Sequence, residues 1–228
     1  MTKNATPISR FPVPDPATLP EDIRKVVEAN AAKTGFTPNV FLAYGYKPEH
    51  FRAFFHYYDV LMKGPSELSR AEREMIVLAV SRVNACTYCT VAHGAALRIL
   101  SKNPELADQI SANYRVADIT PRQRAMLDFA VKVTEHSADI DQADFERLRG
   151  HGFTDSDIWD IGAVAAFFNL SNRMANLADM KPNREYHYMA REPAGPQAPA
   201  KPPAHRVPPS AARPIEPSSA RRRRARTE

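Results

Sequence analysis

The sequence predicts an all-α fold. Three observations carry that reading: helix-capping signatures recur between residues 19 and 191, glycines are sparse there, and no stretch sustains the apolar–polar alternation with turn residues that a strand hairpin needs. A chain of 228 residues with 43% apolar side chains can bury a substantial core, and its size fits one domain with an appendage.

The elements follow in order. Residues 1–18 are a proline-punctuated, extended lead-in. Pro20 opens a helix carrying Ile23, Val26 and Val27, with Gly35 a natural stop residue. Pro48 opens a second, running through Phe51, Phe54, Phe55, Tyr58 and Met62 to Gly64. Ser69-Arg70-Ala71-Glu72 is a capping box with Leu68 as its staple residue, so the spacing predicts a helix over 70–83. Asn84 interrupts that helix and Cys86 introduces the next, which runs toward Asn103-Pro104. Thr120-Pro121 starts a helix through Met126, Leu127, Phe129, Ala130 and Val133. A short helix spans about 141–149 and ends at Gly150. Thr154 with Asp157 caps the last long helix, whose Ile158, Ile161, Val164, Phe167, Phe168 and Leu170 are expected to be mostly buried, with Trp159 read as core.

Composition changes at Glu192. Residues 192–228 hold nine of the chain's 20 prolines and almost no large apolar side chains, and they end in Arg221 to Arg224 plus Arg226. Such a segment cannot bury enough surface to order itself, so the expectation is a helical domain over 19–191 and a disordered basic tail over 192–228. The net charge of +5 resides in that tail, which carries eight Lys/Arg against three Glu; the rest of the chain holds 23 of each sign. Net charge therefore gives the folded part no nucleic-acid surface, and no specific nucleic-acid partner is expected. The arginine run is read first as a solvated extension, and otherwise as an anchor for polyanions or an acidic partner. No apolar run is long enough for a signal-peptide core or a membrane span, so a cytoplasmic protein is expected.

The chemistry concentrates in one segment. Glu74, then eleven residues, then Cys86-Thr87-Tyr88-Cys89 and, three residues on, His93 bring two thiols, an imidazole and a carboxylate together. On a helix, positions 86, 89 and 93 share a face. The unpaired N–H groups and positive dipole end of a helix start favour a thiolate, which points to Cys86, while the one-turn spacing of His93 favours Cys89. The two sulfurs can close a disulfide, so a sulfenic acid on one would be captured by the other. Glu74 on the preceding helix would fold back toward His93 and orient it.

The pattern Glu-x11-Cys-x2-Cys-x3-His resembles the signature of the AhpD-like alkylhydroperoxidases of the carboxymuconolactone decarboxylase-related superfamily, in particular their peroxidase-related branch. The flanking Leu68 to Glu74, Val80 to Asn84 and Asn169 to Arg173 extend the likeness, which covers about 180 residues. The resemblance implies an AhpD-like helical bundle that assembles into homo-oligomers. It implies a peroxide reductase in which Cys89 attacks the hydroperoxide, Cys86 is proton donor and resolving thiol, and Glu74 and His93 relay protons. No cofactor is implied; the reductant would be a dithiol of the lipoyl type. One position departs: the best-known members have a histidine between the cysteines where this chain has Tyr88, which cannot shuttle protons near neutral pH. Members that decarboxylate generally lack the cysteine pair, so Cys86 and Cys89 argue against that reaction.

Other readings of the same residues stand beside this one. Cys86, Cys89, His93 and Glu74 could hold a structural zinc, although such sites usually join two separated ligand pairs. The cysteines could also be inert small hydrophobes in a helical interaction protein with a polyanion-binding tail. Asn172 and Arg173 are read as structural before pocket-lining, the aromatic series at 51–58 as core or interface, and the remaining histidines as without a role.

Overall fold

The computed structural model describes residues 7–191, which form one compact helical unit. The tail expected over 192–228 and the first six residues of the lead-in lie outside the described residues. Among the described residues there are nine α-helices and no strand. They are α1 (Glu21–Thr34), α2 (Asn39–Gly45), α3 (Pro48–Lys63), α4 (Arg70–Val83), α5 (Thr87–Ser101), α6 (Leu106–Asn113), α7 (Pro121–Glu135), α8 (Gln142–Gly150) and α9 (Asp155–Leu177).

Seven of these are the helices read from caps and prolines. The capping boxes at Ser69/Glu72, Thr120/Gln123 and Thr154/Asp157 all close reciprocally, and Gly35 ends α1 in the left-handed conformation at φ 83°. Leu68 is buried, but the staple position opposite it is occupied by Arg73. Arg73 donates from Nε to the Leu68 carbonyl and from Nη1 to the carbonyls of Leu61 and Gly64. A buried guanidinium thus satisfies the orphan carbonyls at the end of α3 and ties α4 to it.

The short helices α2 and α6 were not read from the sequence. At seven and eight residues they are below the length at which propensity alone sustains a helix, so tertiary packing makes them. For α6 that packing is on α4 and α5. For α2 it is on α3, where Phe41 and Tyr44 stack against Phe51, Phe54 and Phe55. Gly45 ends α2 at a close approach: a Cβ there would lie 2.9 Å from a Leu19 methyl and 3.2 Å from Pro14, so glycine lets the lead-in cross α2.

Helix α4 is the centre of the bundle, packed by α5, α6, α7 and α9. Every residue from Glu72 to Ser81 is buried, including three charges. Each charge is compensated, as burial requires: Glu72 pairs with Arg122 at 2.8 Å, Arg73 with the carbonyls above, and Glu74 with His93 at 2.7 Å.

Two expectations for α9 fail. Trp159 is 77% exposed and Leu170 54% exposed, whereas Ile158, Ile161, Val164, Phe167 and Phe168 are buried. Trp159 and Leu170 belong with Ala163, Ala166, Arg173 and Leu177 to a stripe at helical spacing that no described element covers, while the buried stripe faces α4 and α7. Apolar residues on most faces of this helix leave its pattern with little direction.

These burials predict a contrast in equilibrium denaturant unfolding. Leu127→Ala, in a site with no exposed surface, is expected to cost about 2–5 kcal/mol. Trp159→Ala should stay within about 0.5 kcal/mol of the parent protein.

Candidate functional site

The site is built at the joint between α4 and α5. Asn84 caps α4, Ala85 turns into the left-handed region at φ 48°, and two backbone bonds close the turn, from Ala85 N–H to the Arg82 carbonyl and from Cys86 N–H to the Ser81 carbonyl. This is the double bond pattern of a Schellman ending, with alanine where glycine is usual. Cys86 is therefore the last residue of one helix terminus and at once the N-cap of the next.

That dual position modifies the expected geometry. Cys86 has extended φ/ψ and lies outside α5, so it does not share a helical face with Cys89 and His93. The two sulfurs meet through capping instead: Cys86 Sγ accepts the backbone N–H of Cys89, the N3 residue, at 3.5 Å. Sulfur takes the place that a serine or aspartate oxygen usually fills. Both thiols are free and buried, with 1% and 2% exposure.

Three asparagines of α9 grip the joint. Asn84 Nδ2 donates to Asn169 Oδ1 at 2.8 Å and to Asn172 Oδ1 at 3.0 Å, and Asn176 Nδ2 donates to the Asn84 carbonyl at 2.9 Å. Asn172, with no exposed surface, donates to Ser81 Oγ at 3.0 Å, and its amide acts to lower the pKa of both thiols. These bonds are the structural service weighed above. Ser171 Oγ is 3.8 Å from Cys89 Sγ. A second Schellman ending, with Asp179 at φ 48° and Met180 N–H bonded to the Ala175 carbonyl, brings Met180 into the apolar cluster around the cysteines.

Glu74 and His93 meet as their spacing predicts. His93 Nδ1 is 2.7 Å from Glu74 Oε2, and the ring packs edge-on against Phe168 at 4.8 Å. A carboxylate on Nδ1 fixes the tautomer and leaves Nε2 as the basic nitrogen. The Tyr58 phenol beside the pair is pushed up by burial and then by the Glu74 charge.

The electrostatics of the thiols are unequal. Cys86 is lowered from 9.0 to about 7, first by the hydrogen bond from the Cys89 thiol, then by the Cys89 backbone N–H, Asn172 and the charge of His93. Cys89 is raised well above 9.0, first because its proton is held in the bond to Cys86 and then by burial. The two shifts run in opposite directions, and the sulfur at the helix start is the more acidic, as helix-terminus chemistry favours. Tyr88, at the departing position, faces elsewhere: its Oη accepts the Val40 N–H at 3.2 Å and meets Tyr186, tying α2 and the segment 184–187 to α5.

Comparison with known proteins gives the chain its family. The carboxymuconolactone decarboxylase family model matches residues 48–132. The solved structure of an uncharacterized peroxidase-related protein from Ralstonia eutropha JMP134, described as an alkylhydroperoxidase AhpD core, is 58% identical, with a TM-score of 0.82 over 83% of this chain and 100% of that one. The chain belongs to the AhpD-like, carboxymuconolactone decarboxylase-related superfamily. A second peroxidase-related protein of this superfamily, from Silicibacter sp. TM1040, is 47% identical, with a TM-score of 0.78 over 84% of this chain and 100% of that one. The debrominase Bmp8, at 18% identity and a TM-score of 0.67, over 82% of this chain and 98% of that one, shares the fold. No curated protein matches.

Among the described residues no group of three or more His, Cys, Asp or Glu side chains is arranged to hold a metal ion. No described helix is long and apolar enough to cross a membrane. Sequence reasoning did not find Ser81, Ser171, Met180 or Tyr44, which also packs on the cysteine cluster. The one available signal was the Asn169, Asn172, Asn176 spacing, which puts three amides on one face of α9.

Two outcomes are expected. Ultraviolet thiolate absorbance of the reduced protein should rise by one sulfur as pH climbs through about 7, with the second proton lost well above 9.0, and Cys86→Ser should remove the lower step. Ala85→Gly should relieve the left-handed alanine and raise unfolding stability by up to about 1 kcal/mol in denaturant titration, since the steric cost of that region exceeds the entropy of glycine.

Proposed function

We propose that the protein is a thiol-dependent peroxide reductase that runs a Cys86/Cys89 dithiol–disulfide cycle with Glu74 and His93 as its proton relay. The observation that carries this reading is a pair of free, buried thiols, with Cys86 Sγ accepting the Cys89 N–H at 3.5 Å, on the two helices that also hold the Glu74–His93 couple at 2.7 Å. A buried thiol with a perturbed acidity and a hydrogen-bonded base is the signature of a nucleophile rather than of packing. Family membership and the two peroxidase-related relatives support it.

The cycle balances as follows. The Cys86 thiolate takes the proton of the Cys89 thiol through their hydrogen bond, which makes Cys89 the attacking sulfur. A thiolate of higher basicity is the stronger nucleophile once formed. Cys89 Sγ attacks the terminal oxygen of the hydroperoxide; an S–O bond forms, the O–O bond breaks, and its electron pair leaves on the alkoxide. The Cys86 thiol protonates the alkoxide to an alcohol and is again a thiolate. It then attacks the Cys89 sulfenic sulfur, closing the disulfide and expelling hydroxide, which takes a proton from the Glu74–His93 couple. Peroxide is reduced by two electrons and the two thiols are oxidised. An external dithiol, of the lipoyl type that the resemblance suggests, returns the pair to thiols by exchange.

The test is stoichiometric. One equivalent of hydroperoxide should consume both thiols and give an intramolecular Cys86–Cys89 disulfide on non-reducing peptide mapping. Cys89→Ser should abolish consumption, and Cys86→Ser should stop at a trappable sulfenic acid on Cys89. Glu74→Gln should slow oxidation about 100-fold, the usual weight of a positioned acid–base group. No thiol loss, or intermolecular dimers alone, would sink the reading; an adduct on Cys86 in the Cys89→Ser protein would reverse the two sulfurs.

A further inference from the structure

A cavity of about 230 Å³ lies beside the cysteine cluster, in a place the proposed cycle does not use. The lead-in forms one side of it, crossing α2 where Gly45 permits. Two backbone bonds tie it down, from Arg10 N–H to the Ala178 carbonyl at 2.7 Å and from Lys181 N–H to the Ile8 carbonyl at 3.1 Å. The end of α2 and the last turn of α9, with the left-handed Asp179 that follows it, supply the other sides. Phe11, Ala43, Met174, Ala178 and Met180 make the lining chiefly apolar. An apolar cavity of roughly 150 Å³ accepts a benzene ring, so this one has room for a ring with a short arm.

The basic side chains of the lining stand at its mouth. Lys47 and His50 are both exposed, and no acidic side chain lines the cavity. The acids beside the lining residues in the chain are already engaged: Glu49 pairs with Arg52, and Asp179 with Lys181. Lys47 Nζ instead lies 5.1 Å over the Tyr46 ring, which stacks with Phe11 at 6.1 Å. Neither Lys47 nor His50 therefore has a carboxylate partner among the described residues. A concave apolar floor with a cation and an N–H donor at its rim is the arrangement that holds an amphipathic anion, its apolar part inward and its charge toward water.

We infer that this cavity is a binding site, separate from the sulfurs, for a small aromatic monocarboxylate, whose ring sits against Met174 and Met180 and whose carboxylate meets Lys47 and His50. The inference stands apart from the peroxide-reductase reading, because binding there uses no thiol. It has a consequence for the thiols nonetheless. Tyr44, Ala178 and Met180 wall both the cavity and the sulfur cluster, and the sulfurs are only 1% and 2% exposed. A reagent reaches them only when those walls part, and a seated ligand favours the closed arrangement.

Phenylacetate, phenylacetamide and acetate separate the contributions in the reduced parent protein. Phenylacetate should shift the Met174 and Met180 methyl resonances with a dissociation constant in the millimolar range, leaving those of the core residues Met75 and Met126 in place. Phenylacetamide, which keeps the ring and loses the charge, should bind about two- to fivefold more weakly, and acetate should not bind at the same concentrations. Lys47→Gln, at an exposed position, should remove the preference for the carboxylate. Phenylacetate at ten times its dissociation constant should slow iodoacetamide alkylation of the parent thiols by up to about elevenfold, and acetate should not. An amide that binds as well as the carboxylate, or a preference that survives Lys47→Gln, overturns the anion. Absence of shifts at Met174 and Met180 overturns the cavity, and an alkylation rate indifferent to bound phenylacetate overturns the link to the sulfurs. None of these outcomes bears on whether hydroperoxide oxidises the pair, which the thiol stoichiometry decides.

Discussion

The site depends on a turn of three residues held by amides from another helix. Asn84, Ala85 and Cys86 end α4 and begin α5 with no spacer, and α9 secures them through Asn169, Asn172 and Asn176. Asn169 and Asn172 each use both donor and acceptor, and Asn176 donates, so the network fixes distance and direction together. If α9 shifted along its axis, the carbonyl of Asn84 and the hydroxyl of Ser81 would lose their partners in the interior. The position of the sulfurs is thus a property of three helices.

Burial then sets the chemistry. Cys89 is hard to ionise, first because its proton is held by Cys86 and then because it lies in an apolar cluster. Cys86 escapes this because the charge on its sulfur is met by a thiol proton, a backbone N–H and an amide, with His93 adding a longer-range field. The central helix follows the same logic with its own charges: Glu74 is tolerable in the core because an imidazole one helix away completes it. Stability and reactivity share these contacts, so the residues that make the site acidic also make its burial affordable.

Much of this was legible in the sequence, and the reasons differ by element. Ser69, Thr120 and Thr154 announce their helices because capping is local: a hydroxyl, a carboxylate or amide three residues on, and nothing else. The Glu74, Cys86, Cys89, His93 set was legible because spacing along two consecutive helices constrains which side chains can meet, although Cys86 reaches Cys89 as a cap rather than along a helical face. Trp159 was misplaced because α9 carries apolar residues on most faces, so its pattern does not point inward. Helices α2 and α6 were invisible because their stability comes from what they lean on.

One consequence follows from the sulfur that caps α5. While Cys86 is a thiolate, it holds the N–H of Cys89 and completes the first turn; once bonded to the other sulfur it carries no charge to offer, and the helix start loses an acceptor. An N-cap lost is worth about 1 kcal/mol, enough to multiply local opening of that turn roughly fivefold. On the proposed cycle, the oxidised protein would loosen where its disulfide would be hidden. The same cap would then unlatch the interior at the moment the proposed reductant has to get in, and latch it again when the thiols return.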